Sequence, residues 1–232
     1  MSKLFCLMLM VPVLSFLPGV TEGEQRSDGH TWTSDFQLEK DELGSIGRNP
    51  YFILEPGFQL VLEKGVERVT ITVLDTTKKV GDIETRVVEE KETRDGKLVE
   101  ISRNYYAISK RTNSVYYFGE DVDMYKNEKV VGHGGSWMAG VNGARFGLMM
   151  PGIVLLRSRY HQELAPGLAM DRAEIVSTSE TVVTPARQFK NCLKIEETTP
   201  LEPGNKEFKY YATGIGLVQD GELKLVKHGR AE

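Results

Sequence analysis

The chain has 232 residues, 40 % of them hydrophobic and 27 % charged, which is enough apolar surface for a packed core and excludes general disorder. A formal charge of -4 leaves no basic excess to neutralise phosphates, so a nucleic-acid partner is not expected. Two cysteines, Cys6 and Cys192, cannot build the disulfide framework of a small secreted scaffold.

Lys3, the apolar run from Leu4 to Leu17, and the exit through Pro18-Gly19 to Gly23 have the layout of a secretory signal peptide. The run is shorter than the ~20 residues a membrane-spanning helix needs. Residues 1–23 are therefore expected to be a cleaved leader and the protein to be secreted or periplasmic, with no transmembrane segment in the mature chain. Cys6 leaves with the leader, and no apolar run precedes it, so no lipid anchor is expected. Residues 24–50 are a polar N-terminal segment in which Asp35 to Ile46 leaves room for one short helix. Residues 51–232 are expected to form one β domain.

From Phe58 onward the hydrophobic period is two. Phe58, Leu60 and Leu62 alternate with polar residues, as do Val69, Ile71 and Val73 after the turn at Lys64-Gly65. A strand from Ile83 to Thr93 turns at Arg94-Asp95-Gly96 and returns from Lys97 to Ser109; Asp-Gly between two alternating runs is a strong hairpin signal. Ser114 to Phe118 and Lys129 to His133 continue the meander. A glycine- and methionine-rich stretch from Gly134 to Gly152 interrupts it, a length of loop that is often functional. Strands are expected again at Ile153–Leu164, Ala169–Thr184, Gln188–Thr199, Glu207–Ala212, Ile215–Gln219 and Glu222–Val226. The predicted fold is all-β: a single strongly curved antiparallel sheet of about ten strands, a barrel-like meander with a long glycine-rich loop insertion. Strict alternation through Phe189, Leu193 and Ile195 turns Asn191 inward and Cys192 outward, and a local bulge would reverse this.

Thr184-Pro185-Ala186, the strand Phe189 to Glu196, and Tyr210-Tyr211-Ala212-Thr213-Gly214-Ile215-Gly216-Leu217-Val218 carry a resemblance. Together they resemble the TapB-like family of exported bacterial β proteins of unknown function, itself distantly similar to the LolA/LolB half-barrels that carry lipoproteins. The resemblance implies a curved antiparallel sheet and brings no catalytic residues with it. Arg187 stands where that family usually has glycine.

No catalytic residues emerge. Gly134-Gly135-Ser136-Trp137-Met138 lacks the second glycine of a nucleophile elbow, Cys192 has no neighbouring histidine, and Gly-x-Gly-x-x-Gly is absent. Asp121 and Asp123 share one strand face, and His133 with His161 would suit Cu²⁺ or Zn²⁺ if neighbouring strands joined them, but neither pair has a metal-site spacing. They are weak metal candidates, and no cofactor is expected. Trp137, Phe146, Leu148, Met149 and Met150 are the best ligand-binding candidates. They read either as an apolar lid over the sheet or as a plug completing its core. The function this supports is an exported non-enzymatic protein binding a lipid, another apolar small molecule or an envelope protein partner under residues 134–152. The alternatives are a structural envelope protein with a filled core, and a hydrolase or metal-dependent enzyme.

Overall fold

A computed structural model describes residues 31–231. The leader expected at 1–23 lies outside the described residues. A single 3-10 turn, Lys40–Glu42, stands where the short helix was expected, and there is no α-helix among the described residues. None is long and apolar enough to cross a membrane as a helix. The chain then runs through β1 (Leu43–Gly44), β2 (Gly47–Asn49), β3 (Phe52–Leu54), β4 (Phe58–Lys64), β5 (Glu67–Val80), β6 (Ile83–Arg94), β7 (Lys97–Ser109), β8 (Val115–Lys126) and β9 (Lys129–Gly132). There follow β10 (Trp137–Met138), β11 (Arg145–Met150), β12 (Arg159–His161), β13 (Glu163–Leu164), β14 (Arg172–Val183), β15 (Gln188–Thr198), β16 (Glu207–Ala212), β17 (Gly216–Asp220) and β18 (Leu223–Arg230).

All but β2 and β3 belong to one sheet, ordered β12-β14-β15-β16-β17-β18-β4-β5-β6-β7-β8-β11-β13, with β1, β9 and β10 paired beside that path. The sheet is antiparallel and nearly closed into a barrel. Its two ends meet at the short run Arg159–Leu164, which pairs with β14 through β12 and with β11 through β13. The hairpin turns set the registers. Asp95 and Gly96 both have positive φ (50° and 71°), as a type I′ turn requires, and join Arg94 to Lys97.

The β2–β3 hairpin plugs one end of the barrel. Its anchor is Asn49, fully buried, which donates from Nδ2 to the carbonyls of Asn113 and Pro151 at 2.9 Å and accepts from the Tyr51 amide. Leu54 and Ile53 enter the core behind it, and Phe52 meets Tyr106 edge-on at 5.0 Å.

The segment expected to be helical is extended instead, because its apolar residues have somewhere better to go than one another. Phe36 lies against Tyr116 and Phe146, and Leu38 and Leu43 cover a cluster of Val87, Tyr105, Ala107 and Phe118 on the outer face of the sheet. Tertiary burial outweighs a weak helical preference.

The glycine-rich stretch follows the meander and itself supplies β10 and β11. Glycines within it and on the strand it pairs with permit close approach. A Cβ on Gly147 would stand 2.3 Å from the Gln162 carbonyl oxygen, and one on Gly119, the position facing Met138 of β10, 2.4 Å from that of Trp137. The strand expected over Ile153–Leu164 forms only in its second half. Pro151-Gly152 and a left-handed Arg157 (φ 67°) keep the first half irregular and leave Ile153, Leu155 and Leu156 exposed.

At Cys192 the bulge reading holds. Asn191 adopts φ 54°, the β14–β15 register shifts there, and Cys192 is fully buried beside Leu193. Burial pushes its thiol pKa up, away from the reactive thiolate. It is the free cysteine among the described residues. Thermal melts with and without reductant are expected to superimpose; a shift of several degrees would mean an intermolecular disulfide.

Candidate functional site

Inside the barrel lies a cavity of about 160 Å³. Its wall is divided. One set of residues is apolar: Tyr51, Phe52 and Ile53 from the hairpin, Phe58 and Leu60 from β4, Ile71 and Val73 from β5, and Leu217 from β17. A second set is acidic. β6 contributes Glu90 and Glu92, β7 Glu100, β8 Glu120, β13 Glu163 and β17 Asp220, with Glu197 from β15 and Asp171 from the turn before β14. Lys209 on β16 is the cation in this wall.

The register explains the clustering. A two-residue turn at 95–96 without further irregularity would set Glu92 opposite Val99. The ladder slips between Thr93 and Glu92, so Glu92 instead faces Glu100, Glu90 faces Ser102, and Val88 faces Asn104. Directly paired residues share a face. The slip therefore turns Glu100, Ser102, Asn104 and Tyr106 inward together, beside Val88, Glu90 and Glu92.

Most of these polar groups are tied down. The Tyr117 hydroxyl donates to Asn104 Oδ1, and Asn104 Nδ2 donates to the Val88 carbonyl at 3.3 Å. Lys209 Nζ sits 2.8 Å from Glu197 Oε2 and 3.9 Å from Asp220 Oδ2, and Gln162 Nε2 donates to Glu197 Oε1 at 3.0 Å. Lys209 keeps its proton, held by Asp220 and Glu197 against the burial that opposes it.

Glu92 is different. It is 9 % exposed, and among the described residues no donor or cation partners it. Burial, then the negative charges of Glu90, Glu100, Asp220 and Glu67, pushes its carboxyl up to about 8. Burial likewise lifts Asp220 to about 7, against the pull of Lys209.

The five apolar candidates separate. Met149 lines the interior cavity. Met150 is fully buried in the main core, against which Leu148 packs from a half-buried position. Phe146 lies on the outer face, stacked on Phe118 at 5.2 Å. Trp137 is 5 % exposed, set edge-on to Tyr117 at 5.3 Å, with its Nε1–H unpartnered. With Met138, Val141 and Leu168 it also walls a second cavity of about 260 Å³. That cavity lies among loops where Val141 and Leu168 are half exposed, and it lacks the buried charges of the first.

Asp121, Asp123 and His133 are engaged with protein groups, whereas the buried Nδ1 of His161 has no hydrogen-bond partner. Asp121 accepts the Tyr105 hydroxyl and faces Lys78 at 3.5 Å. Asp123 pairs with Arg103 at 2.9 Å and with His133 Nδ1 at 3.0 Å. His161 packs edge-on against Trp32, and burial and Arg172 lower its pKa. No three metal-ligating side chains converge among the described residues. Sequence reading passes over Glu90, Glu92 and Glu100 of this wall, whose alternation is hidden by the Glu89-Glu90-Lys91-Glu92 run.

No family model, curated protein or solved structure matches the chain.

Proposed function

We propose that this chain is an exported, non-enzymatic binding protein that holds a small molecule inside its barrel. The observation that carries this reading is the interior cavity of about 160 Å³, lined both by apolar residues, including those of the hairpin plug, and by polar and charged groups. Apolar residues give a bound molecule contact area, and the polar and charged groups that share the wall give it orientation. A dry cavity of about 150 Å³ accepts benzene, so a ring-sized group fits this one. The expected site under residues 134–152 contributes only Met149 to it. A structural envelope protein with a filled core accounts less well for an interior space lined with charge. Export to the periplasm or beyond rests on the leader pattern in residues 1–23, and kinship with the TapB-like proteins on the motifs near the C-terminus.

Calorimetric titration with benzyl alcohol, a neutral probe of the right size, is expected to saturate at one site. Ser102→Phe places a ring in the cavity from a buried inward position and is expected to abolish the heat while the protein still melts cooperatively. A wild-type protein that shows no saturable uptake overturns the proposal.

A further inference from the structure

The interior carboxylates narrow the class of ligand, given the binding reading above on which this rests. Glu92 and Glu100 are paired directly opposite each other on β6 and β7, both at most 9 % exposed. Like charges at opposed positions of an antiparallel pair repel. Glu90 on the same strand, Glu67 on β5 and Asp220 on β17 add to the negative field at Glu92. The neighbouring cation, Lys209 on β16, is already shared between Glu197 and Asp220. Leaving a buried carboxyl without a donor costs free energy that other groups must offset. Glu92 lines the cavity without a donor from the protein, and a ligand in the cavity can bring one.

The donor is not a metal ion held by this set as it stands, because no three candidate ligands converge among the described residues, whereas Ca²⁺ takes six or more oxygens at ~2.3–2.6 Å. The walls suit a larger, softer cation. Tyr106 and Tyr117 stack at 4.7 Å on one side of the cavity, with Tyr211 also lining it. Aromatic faces attract ammonium groups, most strongly where water is excluded.

We propose that the barrel binds a small organic ammonium compound, its apolar body against the hairpin plug and its cationic head donating to Glu92. The head takes the position of the missing donor, and Glu100 and Glu90 supply the surrounding negative charge. A carboxylate of the same size meets repulsion in the same place.

Three probes of one shape test this: benzylamine, benzyl alcohol and benzoate, titrated calorimetrically at about pH 8.5, above the range in which Glu92 holds its proton. Benzylamine is expected to bind at least about tenfold more tightly than benzyl alcohol, the advantage of a charge-assisted hydrogen bond over a neutral one. Benzoate is expected to give no saturable heat. Glu92→Gln is expected to cut the amine-to-alcohol preference to within about twofold. If benzyl alcohol binds as tightly as benzylamine, or benzoate binds best, the cation inference fails while the binding reading stands. If none of the three binds, the binding reading itself fails and takes this inference with it. A preference that survives intact in Glu92→Gln would remove Glu92 from the recognition.

Discussion

Stability of the ligand-free protein is expected to fall as pH rises from about 5 to about 8, and Glu92→Gln is expected to flatten that fall. The sign follows from the direction of the shift. Glu92 ionises near 4.5 when unfolded but near 8 in the barrel, so between those values the folded state holds a proton that the unfolded state has released. Its contribution is fully present below about pH 4.5 and is lost as pH climbs through about 8. Each unit of such a difference is worth about 1.4 kcal/mol. The whole window from Glu92 therefore amounts to several kcal/mol, on a domain whose total stability is about 5–15 kcal/mol. Asp220, lifted to about 7, acts in the same sense. Its closeness to Lys209 makes it the weaker lever, since one cation serves Asp220 and Glu197 together. Urea unfolding at pH 5, 7 and 9 measures the slope. Glu92→Gln removes the ionisable group and keeps the shape, so at pH 9 it is expected to be more stable than wild type by a few kcal/mol. An equal slope in the two proteins would mean that Glu92 is solvated or partnered in solution. A saturating ammonium ligand is expected to shift the fall to higher stability at pH 8, because it favours the ionised carboxyl.

The same carboxylates mark where sequence reasoning reached its limit. The meander was legible because β-branched residues alternate through Val69, Ile71 and Val73, and because Asp95-Gly96 dictates a two-residue turn. Turn and alternation together predict one register for β6 against β7. The ladder slip between Thr93 and Glu92 changes it, and a slip of one residue moves every side chain beyond it to the other face. No residue near Val99 signals that slip; neither a glycine nor a left-handed residue marks it in the sequence. The acidic wall therefore cannot be read without coordinates, whereas the bulge at Cys192 was open as an alternative because strict alternation there buried an asparagine. The glycine-rich stretch misled in another way. Glycine signals both mobility and close approach, and at Gly147 and Gly152 it serves the second, which only the neighbouring carbonyls of Gln162 and Thr112 reveal.

Trp137→Ala is expected to destabilise the protein by about 3–5 kcal/mol, the cost of truncating a large core aromatic. Trp137 closes a column of rings that runs through the barrel. Phe52 of the plug meets Tyr106 at 5.0 Å, Tyr106 stacks on Tyr117 at 4.7 Å, and Tyr117 meets Trp137 at 5.3 Å. Such aromatic pairs add about 0.5–1.5 kcal/mol each beyond their burial. Removing the last ring leaves a void beside Tyr117 and Ala144, both buried and held by strands on several sides, so little collapse can fill it. Trp137→Phe separates the ring from its polar atom. The indole Nε1–H is buried without a partner, and an unsatisfied buried donor costs about 1–3 kcal/mol. Phenylalanine loses some packing and sheds that penalty, so its net cost is expected to be about 1 kcal/mol. Urea denaturation of the three proteins decides the matter. An alanine variant within about 1 kcal/mol of wild type would mean that Trp137 is a mobile cover over residues 134–152 and not part of the core. In that case its fluorescence should shift on adding benzyl alcohol, whereas a core Trp137 keeps a blue emission with or without the probe.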